Sequence, residues 1–98
     1  MSDLHFEWDA GKSRSNQEKH GVSFSEATTV FYDEAALLLD DPDHSETEER
    51  FVLLGISEFL RALVVCHAVR DGGDLIRIIS ARRAHAREQQ AYFARWTR

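Results

Sequence analysis

One stretch, Leu75 to Arg83 (LIRIISARR), most constrains what this chain can fold into. Leu75, Ile76, Ile78 and Ile79 are apolar, and three of the four are β-branched. That composition and length predict a strand in the middle of a sheet, buried on both faces. Arg77 interrupts the run, and Arg82 and Arg83 close it. A guanidinium inside such a strand has two uses. It can snorkel to water along its aliphatic stem. It can also hold a phosphate, because its planar fork matches phosphate oxygens and does not lose its proton.

The rest of the chain arranges itself around that strand. Phe6 and Trp8, alternating with Glu7 and Asp9, predict a short first strand. Asp9 then reads as an N-cap for a polar helix over Ala10 to Lys19, which Gly21 stops. Ser23 and Glu26 have the spacing of a capping box for a second helix, with Phe24, Ala27, Val30 and Phe31 on its apolar face, ending near Tyr32. Leu37 to Leu39 and Phe51 to Ser57 predict strands, and Gly55 inside the second marks a bulge or a close backbone approach. Between them, Asp40 to Glu49 (DDPDHSETEE) reads as a loop with the only proline. Arg61 to Arg70 predicts a longer strand, joined to the LIRIISARR strand by a hairpin turn at Asp71-Gly72-Gly73-Asp74. From about Ala84 to Trp96 the pattern is helical. Helices, then hairpin-linked strands, then a helix predict an α+β fold: two N-terminal helices, a small antiparallel sheet and a C-terminal helix.

At 98 residues the chain fits a single domain over 1–98, and its 43% hydrophobic share supplies one small core. No apolar run approaches the roughly 20 residues that span a membrane. The N-terminus has no basic-then-apolar signal pattern, so a cytoplasmic location is expected. The net charge of −5 conceals two halves. Asp33 to Glu49 holds eight acids and no Lys or Arg, whereas Arg50 onward holds nine arginines against four acids. A basic C-terminal half can face an anion while an acidic loop faces elsewhere.

Histidine is the first residue to weigh for acid–base work, since its reference pKa of about 6.5 lies near neutrality. There are five: His5, His20, His44, His67 and His85. None shows metal-site spacing. The lone Cys66 adjoins His67, so in a strand their side chains point to opposite faces, which argues against zinc and against a Cys–His nucleophilic pair. No cofactor is expected. The relation of His67 to Arg77 depends on the hairpin. A three-residue loop sets them opposite each other on one face; a two-residue loop pairs His67 with Ile78 and separates them. Lys19 and His20 close the first helix, where cations suit the helix dipole.

Three segments together carry a family resemblance: FEWDAGKSRSNQEKHGVSFSEATTVF, DDPDHSETEER and LIRIISARRA. In this order and spacing, from Phe6 to about Tyr92, the chain resembles the BrnT toxins. The N-x-x-KHG-V-S-F turn (Asn16, Lys19 to Phe24) and the I-R-I-I-S-A-R-R-A strand are the specific parts. The resemblance implies a RelE-like fold and a type II toxin that cleaves RNA without a metal. It also implies a BrnA-type antitoxin as partner, with operator DNA bound only through the antitoxin complex. The basic and histidine positions it carries over are Lys19, His20, His67, Arg77, Arg82 and Arg83.

Metal-free cleavage needs a base for the 2′-OH, cations for the charge growing on phosphate, and an acid for the leaving 5′-oxygen. His67 or His20 are candidates for base or acid, with Lys19 as partner or phosphate clamp. Arg77, Arg82 and Arg83 are phosphate binders. Trp8, Phe24 and Tyr92 are candidates to stack a base, each with a core role as the alternative. Two rival readings stand beside this one: a non-catalytic protein-interaction module, and a nucleic-acid-binding regulator. The latter lacks a basic recognition helix.

Overall fold

The computed structural model describes residues 4–41 and 49–96. The element order is β1 (His5–Glu7), α1 (Ala10–His20), α2 (Phe24–Thr29), β2 (Leu37–Asp40), β3 (Arg50–Ile56), β4 (Ala62–Arg70), β5 (Leu75–Arg83) and α3 (Ala86–Phe93), with short 3-10 turns after α2, β4 and α3. Five strands make one sheet in the order β1-β5-β4-β3-β2. The predicted β4–β5 hairpin is antiparallel, as are β3–β4 and β2–β3. One pairing departs from an all-antiparallel sheet: β1 lies parallel to β5, with Glu7 level with Arg77, so the sheet is mixed. The predicted acidic loop over 40–49 falls mostly outside the described residues; within them, Asp40 ends β2 and Asp41 is buried.

Local chemistry explains most of the boundaries. The Asp9 side chain accepts from Lys12 N at 3.0 Å and opens α1, while Gly21, at φ +69°, closes it by returning its N–H to Gln17 O. Ser23 caps α2 by accepting from Glu26 N at 3.0 Å. The reciprocal half of the expected capping box is replaced, because the Glu26 carboxylate turns inward to Arg61 and Ser57. Gly55 marks a close approach and not a bulge. A Cβ there would lie 2.9 Å from Val30 Cγ1 and 3.0 Å from Asp33 Oδ2.

The two faces of the sheet have separate cores. Phe24, Ala27, Val22 and Val30 pack on Leu53, Leu63, Val65, Ile76, Ile78 and Ala81, so α1 and α2 cover one face. On the other, Tyr92 of α3 and Ala84 pack on Leu54 and Val64 with Val52, Ile56 and Ala62. That helix covers only the end of its face nearest β5's C-terminus. Among the described residues, no helix covers the remainder.

Candidate functional site

Strand β5 does not keep one alternation along its length. Its pairing with β4 runs Leu75 to Ile78 against Arg70 to His67, then slips by one residue before Ser80 meets Cys66. Ile79 is the extra residue of a bulge. Without it, Arg77 and Arg82, five positions apart, would point to opposite faces. With it, both point to the open face: Ile76, Ile78 and Ala81 all join the core under α1 and α2, Arg77 lies between the first two and Arg82 follows Ala81. Arg83 then falls on the helix-covered side, level with Leu63.

The open face carries Arg77, Arg82, Arg50 and Arg70. Arg77 and Arg70 share Glu7, at 3.5 and 3.8 Å. Arg82 makes a two-pronged pair with Glu88 at the start of α3, both bonds 2.8 Å. That fork holds the Glu88 carboxyl down at about 2, against the opposing effect of burial and with help from the His85 N–H, which donates to Glu88 Oε1 at 2.7 Å. Arg82, Glu88, Arg50, Ser80, Cys66 and Asp41 line a cleft of about 550 Å³ floored by Val52 and Val64. The Cys66 thiol donates to Asp41 Oδ2 at 3.1 Å. Burial first, and that carboxylate second, push the thiol up to about 12, so it stays protonated and unreactive.

His67 is not in this cleft. The hairpin has a four-residue loop, 71–74, longer than either expected length, but its register is the one expected of the two-residue loop: His67 pairs with Ile78 and Ala68 with Arg77. His67 is 2% exposed on the helix-covered face, its ring 4.7 Å from Phe31 and 6.0 Å from Phe51. Burial lowers its pKa, outweighing the contact of Nδ1 with Val65 O at 3.3 Å. A buried imidazole packed between two phenyl rings fills the core, and His67 and Arg77 lie on opposite faces of the sheet, the second of the two expected arrangements. Tyr92 is corrected in the same way. It is fully buried, its hydroxyl donates to Asp33 Oδ2 at 2.6 Å, and no ring face remains for a base. Phe24 is core. Trp8 is 39% exposed, edge-on to Phe24, and keeps a ring accessible.

Lys19, His20 and Arg83 are exposed, and the fold brings them to one end of the sheet. The agent is Asn16, which sequence reasoning quoted only as part of a motif. Its amide is buried, donates to Val22 O at 2.9 Å and to Ala81 O at 2.8 Å, and accepts from Ala81 N at 3.1 Å. It thus behaves like one residue of a missing strand against β5, beyond the point where the short β1 stops. Lys19 and His20 follow one turn later. Arg61, at the start of β4, fastens the same corner: it donates to Gly21 O at 3.0 Å and to the buried Glu26, which also accepts from Ser57 Oγ at 2.7 Å. Burial alone would raise the Glu26 pKa; the bonds from Arg61 and Ser57 outweigh it and leave it lowered.

Among the described residues, no three His, Cys, Asp or Glu side chains gather as a metal would require. No described helix is long and apolar enough to cross a membrane.

Comparison with known proteins places this arrangement. No curated protein matches the sequence. The fold is similar to the 1.1 Å crystal structure of the Brucella abortus ribonuclease toxin BrnT, with a TM-score of 0.62 at 22% identity, over 85% of this chain and 99% of that one. The pattern of one family, described as the ribonuclease toxin BrnT of type II toxin–antitoxin systems, matches residues 8–88. The Asn16 turn and the arginine strand both lie within that span, and the chain belongs to the BrnT family of ribonuclease toxins, whose systems pair each toxin with an antitoxin.

Proposed function

We propose that this chain cleaves RNA by metal-independent transesterification at the C-terminal end of β5. The observation that carries the reading is the bulge at Ile79, which puts Arg77 and Arg82 on one open face beside a cleft, with Arg83 on the other side of the same strand end. An RNA strand crossing that end meets Arg82 on one side and Arg83, His20 and Lys19 on the other. Arginine forks suit successive phosphates, and fixed cations stabilise the charge that grows on the attacked one. The 2′-oxygen attacks phosphorus, its proton passing to a base, while the bond to the 5′-oxygen breaks and that oxygen takes a proton. The products are a 2′,3′-cyclic phosphate and a 5′-hydroxyl. His20 and Lys19 are the exposed groups suited to the proton transfers; His67 is assigned to packing. Trp8, whose ring stays accessible, stacks a base in this reading. The partner is a BrnA-type antitoxin that also carries the complex to operator DNA, and the site of action is the cytoplasm.

The test is cleavage of a defined RNA in EDTA with the ends of the fragments analysed. Cleavage that persists and leaves 5′-hydroxyl ends is expected, as is a loss of roughly 10²-fold or more in Arg77→Leu and in Arg82→Ala at unchanged fold. Cleavage abolished by EDTA and restored by magnesium overturns the metal-free reading. Arginine variants as active as the parent overturn the site.

A further inference from the structure

The turn between β3 and β4, residues Ser57 to Arg61, is held more firmly than a surface turn requires. Ser57 N–H donates to Arg61 O at 2.9 Å and Leu60 N–H to Ser57 O at 2.9 Å. Phe59 N–H reaches Ser57 Oγ at 3.2 Å, and Glu58 N–H donates to Thr29 Oγ1 at 2.9 Å. Beneath it lies the buried Glu26 with Ser57 and Arg61 bound to it. What this framework presents is apolar. Phe59 is 63% and Leu60 85% exposed. Leu60 also sits at φ +62°, a left-handed conformation that glycine or asparagine adopts readily and a leucine does not. Beside the tip runs a groove between α2 and the turn, lined by Thr29, Tyr32, Ile56 and Glu58, and Tyr32 is itself exposed.

A strained leucine and an open phenylalanine on a rigid turn are costly to a free monomer and useful to a bound one. Preorganised apolar anchors are what interfaces are built around. The rim supplies the charge. Arg61 ties the turn to Gly21, so the α1 terminus lies alongside, with the Lys19 ammonium and the His20 ring both exposed. We propose that the Phe59–Leu60 tip and its groove are a docking surface for a segment of the antitoxin, one that buries apolar side chains on the tip and turns carboxylates toward Lys19 and His20. The tip carries no charge or hydrogen-bonding side chain for a phosphate or a base edge, which favours a protein over RNA as occupant. The inference rests on family membership and not on where RNA is cut.

The experiment uses the purified complex of this chain with its antitoxin, and the free chain, as parent, Phe59→Ser and Leu60→Gly. Three quantities are read: the rate of exchange of the bound chain against labelled parent, the melting temperature of the free chain, and RNA cleavage by it. The proposal expects exchange at least about tenfold faster for both variants, a higher melting temperature for Leu60→Gly because the left-handed strain is relieved, and unchanged cleavage. It also expects association with the parent to slow as salt rises. Exchange within about twofold of the parent in both variants overturns it. So does a lower melting temperature for Leu60→Gly, which would make the tip structural. Loss of cleavage with the complex intact would put RNA there instead. A parent that binds antitoxin and fails to cut RNA leaves this surface standing and removes the proposed function alone.

Discussion

Arg61, just before β4, and Arg77, inside β5, both interrupt apolar sequence, yet the protein uses them differently. Arg61 lies over the helix-covered face, fixed through Nε and Nη2 to the buried Glu26 and through Nη2 to Gly21 O. Arg77 stands on the open face and shares one half-exposed carboxylate, Glu7, with Arg70 at distances of 3.5 and 3.8 Å. The first is a tie between α2, the end of α1 and the β3–β4 turn. The second is a cation held in place without being consumed. The difference teaches that burial of the partner, more than the arginine itself, separates a scaffold arginine from one left accessible to a ligand, as the proposed site requires.

The largest effect should come from breaking the scaffold pair. Arg61→Ala strands a carboxylate that is 3% exposed, at a cost of roughly 3–5 kcal/mol in urea unfolding. Replacing both partners, Glu26→Leu with Arg61→Leu, should recover most of the loss. A single variant as stable as the parent would erase the distinction between the two arginines.

Asn16→Ala should follow, at roughly 1–3 kcal/mol, because it leaves Ala81 N–H and two carbonyls without a partner. Hydrogen exchange at Ala81 should rise with it. Exchange there at the parental rate would mean the amide is replaceable by water.

Acid sharpens the comparison next. Glu26, Asp33 and Glu88 all titrate lower in the folded chain than in the unfolded one, Glu88 down to about 2. The unfolded chain therefore takes up protons first as pH falls. Their stabilisation is present above the ordinary carboxylate range and drains away as pH falls below it, for Glu88 down to about pH 2. Glu88→Gln should flatten part of that slope. A slope unchanged by the substitution would show that the Arg82 pair adds nothing to folding.

The smallest effect on stability belongs to Arg77→Leu: within about 1 kcal/mol of the parent, since a half-exposed pair contributes little. A loss as large as that of Arg61→Ala would turn Arg77 into scaffold.

Much of this was legible in the sequence. Caps at Asp9 and Ser23, the stop at Gly21, the hairpin at 71–74 and the apolar strands each rest on chemistry local to a few residues, and they lie where local chemistry puts them. The site was legible only in part. Which face Arg77, Arg82 and His67 occupy depends on one extra residue, Ile79, and on loop length, and neither leaves a mark in composition. Glu26 looked like half of a capping box because its spacing to Ser23 fits. Its real partner is 35 residues away, beyond the reach of any local pattern. Asn16 gave a signal that went unread: a buried amide joining two motifs explains why they occur together.

The fork between Arg82 and Glu88 makes α3 a reporter of the cleft. Glu88 has two clients, the guanidinium and the N–H of His85 at the helix start. An anion that takes the guanidinium frees the carboxylate to swing, and the first turn of α3 loses a fixed partner. The two equilibria are therefore linked, and the linkage is reciprocal. Whatever clamps α3 to the sheet would weaken the binding of an anion at Arg82 by the same factor by which that anion would loosen α3.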